Sequence, residues 1–483
     1  MKTISRSFAC FLFFLFAGLL SAQTLISAEF VETRRGTSIS ADIGIPVPYD
    51  VRIYKLLYWT PNIEGQLDTA SGLLALPAIK QALPWLCYQH GTVDNKFDIP
   101  SRVNGESLIP VLFAGIGYAA TAADYLGLGD SKGYHPYVHA DSEATAARDC
   151  MLAAREYCEK NDIQLNGDLF VTGYSQGGHG AMALHQLLEA EGSKVAAAAP
   201  LSGPYAISVD MRAFILSGEA YNYVAYLPHL ILSYQTAYGN LYNTLDEVFK
   251  PNYAGLIDTF YHTFQTGEGS LFSLNEELIR RLTADYGASI GKLMFQDSII
   301  TSVANDSRHP FNVALRDNDT YRWTPKALTR LYYCEADDQV RYTNSLTAAA
   351  YMQQAGAPDV EARSVGRQFD HGQCVRPALT QTLLLFESLR SRTSTAPGLV
   401  ETNIWSAAPN PTNGPVRLQR QDGVPEKVQW ALFDAFGRRL QNGQSQDAFL
   451  ELDLSRFPAG FYQIWLQTET TRQVIPVLKN DRF

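Results

Sequence analysis

Apolar positions along this chain change their spacing several times, and each change marks a different kind of unit. A basic start, Met1-Lys2-Thr-Ile-Ser-Arg6, runs into an apolar stretch from Phe8 to Leu20 and then Ser21-Ala22-Gln23, the layout of a secretory signal cut after Ala22. That stretch is short for a membrane span and polar sequence follows at once, so no transmembrane segment is expected after signal removal. From Glu29 to Leu76 the pattern is strand-like, with runs at Val51 to Thr60 and Asp68 to Leu76. Strands and helices then alternate. Leu83 to Tyr88, Tyr118 to Ala123, Asp168 to Thr172 and Val195 to Ala199 read as strands; Ser142 to Lys160 and Gly177 to about Glu191 read as helices. This alternation predicts an α/β fold, a mostly parallel sheet with helices on both faces.

The rhythm breaks between about 205 and 310, where a helical pattern carries Tyr221, Tyr223, Tyr226, Tyr234, Tyr238, Phe260, Tyr261 and Phe264. Its position predicts an inserted cap over the sheet's carboxyl edge, its aromatics mostly core. Alternation resumes with a strand at Leu328 to Glu335, a helix at Asn344 to Gln354, a strand at Val360 to Val365 and a helix from Pro377 to Arg390. A Ser/Thr/Pro-rich stretch follows, giving a linker over 393–402 between a catalytic unit, 23–392, and a small domain, 403–483. In that last unit short alternating runs at Val416 to Gln419, Val428 to Phe433, Ala448 to Leu454, Phe461 to Gln467 and Arg472 to Leu478 predict an all-β sandwich.

Composition narrows the possibilities. The formal charge is −10, and removing Lys2 and Arg6 with the signal takes it to −12, which argues against nucleic acid as a partner. Six cysteines become five once Cys10 leaves. Cys150 and Cys158 fall on one helix about 12 Å apart, too far to bridge. Cys87 sits in an apolar strand. No spacing of Cys or His suggests a metal, and no cofactor is expected.

The chemistry centres on Gly173-Tyr-Ser-Gln-Gly177, placed between a strand and a helix. A serine on so sharp a turn takes a strained backbone, and strand and helix lie too close for side chains two residues away; glycine at both places removes the clash. Ser175 then projects above the sheet, and the Gln176 N–H, at the positive end of the new helix, can meet an oxyanion. A serine hydroxyl needs a base, and the base needs an acid. The strand ending Leu331-Tyr-Tyr-Cys-Glu-Ala delivers Asp337 and Asp338; Asp337, first out of the strand, is the preferred acid. His371, in Phe369-Asp-His-Gly-Gln-Cys374, is the base, expected in a loop before the final helix, with Asp370 a loop residue. His90 ends a strand upstream and is expected to be structural, while its loop supplies a second oxyanion N–H from Thr92. His135, His139, His179 and His185 receive no role.

Together, Tyr88-Gln-His-Gly-Thr92, Asp124-Tyr-Leu-Gly-Leu-Gly129, His135-Pro-Tyr137, Gly173-Tyr-Ser-Gln-Gly177, Ala199-Pro-Leu-Ser-Gly-Pro204 and Ala336-Asp-Asp-Gln-Val340 resemble the secretory lipase family of α/β-hydrolases over about 30–392. The resemblance implies an α/β-hydrolase fold with a helical cap, the triad Ser175, Asp337 and His371, and an ester substrate. The end of the chain, with Ala408-Pro-Asn-Pro-Thr-Asn-Gly414, Phe433-Asp-Ala-Phe-Gly-Arg438 and Leu452-Asp-Leu-Ser-Arg-Phe-Pro-Ala-Gly-Phe-Tyr462, resembles the type A carboxyl-terminal sorting domain of type IX secretion in the Bacteroidetes. That implies the type IX machinery as a partner, and a protein released or held at the outer-membrane surface.

If Asp337 meets His371, Cys334, three residues before the acid, and Cys374, three after the base, are drawn together as candidates for a disulfide. The expected function is a secreted serine carboxylic-ester hydrolase. The alternatives are an exopeptidase using the same triad, which needs a charged group to capture a peptide terminus, and a surface-binding protein without turnover.

Overall fold

The computed structural model describes residues 23–44, 47–390, 400–401, 404–434, 439–468 and 471–480. The expected signal, 1–22, and most of the expected linker lie outside these residues.

Nine strands form one sheet: β1 (Leu25–Arg34), β2 (Val51–Pro61), β3 (Leu67–Pro77), β4 (Leu83–Gln89), β5 (Ala119–Ala123), β6 (Leu165–Tyr174), β7 (Ala197–Leu201), β8 (Leu328–Cys334) and β9 (Val360–Gly366). Their order is β1-β2-β3-β5-β4-β6-β7-β8-β9. The first three pairings in that order are antiparallel, and every pairing from β5–β4 onward is parallel. Every residue of β4, Leu-Pro-Trp-Leu-Cys-Tyr-Gln, is buried, as a strand covered on both faces must be. Edge strand β1, by contrast, is largely exposed.

Small side chains bring the layers close. The helix Ala140–Lys160 buries Ala144, Ala146, Ala147, Cys150, Ala153 and Ala154. Opposite it, a Cβ on Gly72 of β3 would stand 2.7 Å from the Cys150 sulfur and 2.9 Å from the Ala122 carbonyl. On the other face Phe170 of β6 is fully buried, its ring 4.7 Å from Phe386 and 5.8 Å from Tyr118. Truncating such a ring to alanine costs about 3–5 kcal/mol.

Two elements differ from the sequence reading. Gly36–Ile43 is a helix rather than strand, stopped by Gly44 in the left-handed region at φ 78°. Its Ser-Ile-Ser alternation imitates a strand, while Ile39 and Ile43, four apart, share a helical face. The final helix spans His371–Leu389 and contains Pro377, rather than beginning there. Its start is set by Asp370, whose carboxylate accepts from the Gln373 N–H at 2.8 Å while the Gln373 side chain accepts from the Asp370 N–H at 3.3 Å. This reciprocal cap outweighs the boundary that the proline suggested.

Between β7 and β8 the chain forms a run of helices ending with Pro310–Asp317, slightly beyond the expected limit of the cap. Asn95 Nδ2 donates to the Gly267 and Gly269 carbonyls, and Ser270 Oγ to Asp94 Oδ1 at 2.7 Å, tying this layer to the loop after β4.

The carboxyl-terminal unit has two sheets. One orders Val400–Glu401, Thr471–Lys479, Gly460–Gln467, Val428–Asp434 and Arg439–Ser445; the other Trp405–Ala408, Pro415–Arg420 and Phe449–Asp453. Trp405, Val416, Leu418, Leu432, Ile464 and Val477 fill the space between them. Three of these strands depart from the sequence reading, the first being Trp405–Ala408, which pairs with Arg417–Arg420. Val400–Glu401, in the expected linker, pairs with Thr471 and Arg472. Arg439–Ser445 is too polar to show alternation, yet pairs along Val428–Asp434. Phe461 is buried in the catalytic unit's cluster with Phe386, and the final helix of that unit lies against Thr471–Lys479.

Candidate active site

Ser175 links β6 to the helix Gln176–Ala190 with φ 60° and ψ −122°, a conformation that side-chain-bearing residues rarely adopt. A Cβ on Gly173 would lie 2.2 Å from the Gly177 carbonyl oxygen and 2.7 Å from Gln89 Cβ. One on Gly177 would lie 2.0 Å from the Gln89 oxygen. Both glycines are therefore sterically required. The Ser175 N–H donates to the Leu201 carbonyl at 3.0 Å, and its own carbonyl accepts from Gly178 at 2.8 Å, which pins the turn between β7 and the helix. Gln176 is the first helical residue, so its N–H has no carbonyl of a preceding turn to meet.

Asp337 leaves the end of β8. Its Oδ1 accepts from the N–H groups of Gln339, at 3.0 Å, and Val340, at 2.8 Å. Its Oδ2 lies 2.7 Å from His371 Nδ1. Asp338 takes a different partner, accepting from the His371 backbone N–H at 3.2 Å. His371 is not in a loop but is the first residue of its helix, and the Tyr174 hydroxyl donates to its carbonyl at 2.6 Å. With Nδ1–H donating to Asp337, Nε2 is left as the acceptor; it is buried and has no partner among the described residues. Cys334 and Cys374 are joined in a disulfide with Cα atoms 5.9 Å apart, tying the acid's strand to the base's helix. Cys87, Cys150 and Cys158 are free and buried.

Behind the serine lies a polar network absent from the sequence reading. The Gln176 side chain donates to Glu143 at 2.9 Å and lies 2.8 Å from His135 Nε2. Glu143 also meets His179 Nδ1 at 2.7 Å, while His179 Nε2 lies 2.9 Å from the Asn318 carbonyl. Burial pushes His135 down to about 3, and its Nδ1 lies 2.8 Å from the Leu126 carbonyl. The neutral ring thus donates through Nδ1 and accepts from Gln176 through Nε2. Glu143 lies on the alanine-rich helix Ala140–Lys160, and its burial depends on elements more than thirty residues away along the chain. His90 is fully buried and pushed down to about 4 by that burial, with Nδ1 2.8 Å from the Gly91 carbonyl.

Ser175 and His371 face a cavity of about 690 Å³. Thr92 lines it, its hydroxyl 2.8 Å from that of Tyr137. The cap contributes Tyr223, Tyr226 and Phe272, so part of the aromatic set expected as core forms cavity wall instead. Tyr221 and Tyr226 donate to the carbonyl and side-chain oxygens of Gln339, each at 2.9 Å, coupling cap and acid loop. Among the described residues, no group of His, Cys, Asp and Glu could hold a metal ion, and no helix is long and apolar enough to cross a membrane.

This architecture has solved counterparts. The rice cell wall degrading esterase LipA from Xanthomonas oryzae is 29% identical with a TM-score of 0.64, the match covering 76% of this chain and 97% of that one. A protein from Legionella pneumophila subsp. pneumophila is 25% identical with a TM-score of 0.68, covering 77% and 100%. Lipase A of Candida antarctica shares the fold at 14% identity, with a TM-score of 0.56 and coverage of 77% and 83%. No curated protein sequence matches the chain closely enough to count as a relative. Residues 406–479 match the secretion system C-terminal sorting domain. The chain is an esterase-like α/β-hydrolase carrying a carboxyl-terminal sorting domain of type IX secretion, and hence a secreted protein, extracellular or attached to the outer-membrane surface.

Proposed function

We propose that the protein is a serine carboxylic-ester hydrolase, made with a signal at 1–22 and acting through Ser175, His371 and Asp337. The observation that carries this reading is the 2.7 Å contact between His371 Nδ1 and Asp337 beside an unpartnered, buried Nε2, on the cavity that Ser175 also lines. His371 Nε2 takes the serine proton as Oγ attacks the ester carbonyl, and Asp337 stabilises the resulting imidazolium. The N–H groups of Gln176 and Thr92 receive the oxyanion. Collapse expels the alcohol, protonated by His371, and leaves an acyl-serine. Water, deprotonated by His371, then releases the acid and restores Ser175. No step needs a cofactor.

The test is Ser175→Ala. It should retain the fold and lower p-nitrophenyl ester hydrolysis on the order of 10⁴–10⁶-fold. A fluorophosphonate probe should label the wild type and not the variant; labelling of another residue would overturn the assignment. Esters of graded chain length beside aminoacyl-p-nitroanilides will separate esterase from exopeptidase.

A further inference from the structure

The cavity beside Ser175 has a charge character that ester hydrolysis alone does not require. Glu106 lies on its wall, half-buried, in the short turn Gly105–Ser107, and Glu276 stands at the exposed edge on the cap helix Leu271–Tyr286. Among the described residues no Lys or Arg lines this cavity. Its other walls are rich in aromatic rings: Tyr88, Tyr174, Tyr223, Tyr226 and Phe272. Tyr223 and Tyr226 are stacked with centroids 5.5 Å apart. The backbone of Glu106 is held by its N–H donating to Asn104 Oδ1 at 3.1 Å, so the carboxyl group is presented from a fixed turn. Burial pushes that group up to about 7; the Gly91 N–H draws it down, and the negative charge of Asp98 raises it further. A carboxylate in this position gains from a cation brought to it, and aromatic faces attract the same cation.

We propose that the cavity selects esters bearing a positively charged ammonium group, with Glu106 as the counter-charge, Glu276 as a weaker one at the mouth, and the tyrosine rings as the surrounding wall. This rests on Ser175 being the ester nucleophile. The buried, unpartnered His371 Nε2 in the same cavity marks where the reacting group must sit, so the ammonium would be bound in the same compartment as the scissile bond. It can belong to either side of the ester, and the two arms of the test separate these cases.

The experiment compares isosteric pairs above about pH 7, where Glu106 is ionised. Acetylthiocholine against 3,3-dimethylbutyl thioacetate places the charge on the leaving group. The p-nitrophenyl esters of 3-aminopropanoic and butanoic acid place it on the acyl group. In one of the pairs the wild type should favour the cation in kcat/KM by about tenfold, the effect of one charge-assisted contact. Glu106→Gln should lower that ratio about tenfold, and Glu276→Gln should lower it less. If Glu106→Gln does not fold, wild-type inhibition decides, since choline or ethylammonium should inhibit more strongly than 3,3-dimethylbutan-1-ol or propane-scale neutral alcohols. Ratios at or below one in both pairs, or a preference that Glu106→Gln leaves unmoved, overturn the proposal. If neither member of either pair is hydrolysed and Ser175 resists fluorophosphonate, the esterase reading itself fails and this inference falls with it. Hydrolysis of the neutral members without cation preference sinks the inference alone.

Discussion

The two halves of the triad are held by different means. The nucleophile half is steric: Ser175 is locked at positive φ because β4, β6 and the following helix approach so closely that only hydrogen fits at positions 173 and 177. The acid–base half is tied rather than packed. Asp337 and His371 come from segments 34 residues apart, joined by their own hydrogen bond, the Asp338 contact, the Tyr174 hydroxyl and the Cys334–Cys374 bridge. A packed turn fails through overfilling, whereas a tied pair loses its ligatures one at a time and should fail by degrees.

The largest effect should come from the tied half at its chemical centre. His371→Ala should lower ester hydrolysis on the order of 10⁴–10⁶-fold, and Asp337→Ala somewhat less, because orienting a base contributes less than supplying it. Asp338→Ala should be much milder, as it removes only a backbone contact; steady-state kinetics of the three variants will rank them. A crippled Asp338→Ala beside an active Asp337→Ala would reverse the assignment.

The packed half should break by a single methyl group. Gly177→Ala places a Cβ about where the Gln89 oxygen already lies, 2.0 Å away. It should lower stability by about 3 kcal/mol or more in denaturant titration, with loss of fluorophosphonate labelling. Retained labelling at wild-type stability would show that the elbow can relax.

Next comes the bridge. Cys334→Ala with Cys374→Ala should cost about 2–4 kcal/mol and lower kcat partially rather than abolish it, since the remaining ties persist. In the denatured, unreduced mature protein, thiol titration should find the three free cysteines Cys87, Cys150 and Cys158. Five free thiols would remove the bridge from the comparison.

The smallest effect on catalysis should follow deletion from Thr402 onward. The base helix His371–Leu389 lies against the tail's last strand, and Phe461 is buried with Phe386, so the cut bares an apolar contact. Ester hydrolysis should remain within severalfold of wild type, with a modest fall in melting temperature. In the native host the truncated protein should accumulate in the periplasm; normal export would contradict the sorting role of 406–479.

How much was legible in advance follows the same division. A strand, a Gly-Tyr-Ser-Gln-Gly turn and a helix are contiguous, so the elbow's conformation is written in neighbouring residues. The βα alternation that makes the sheet is also local, because burial on two faces demands continuous apolar runs such as Leu83–Gln89. The order of Asp337 and His371 after Ser175 could be read because sheet topology presents the loops at one edge. Folding alone decided that Glu143 is buried against Gln176 and His179, that Glu106 faces the serine's cavity, and that Tyr223 and Tyr226 line it while Tyr234 and Phe264 fill the core. Periodicity tells which face of a helix is apolar, but not what a charged residue meets across a gap of a hundred residues. The hydrogen bonds that bury Glu143 come from partners remote in sequence, and the wall that Glu106 shares with Tyr223 and Tyr226 joins segments more than a hundred residues apart; both exist only once the sheet, the cap and the loops have been brought together.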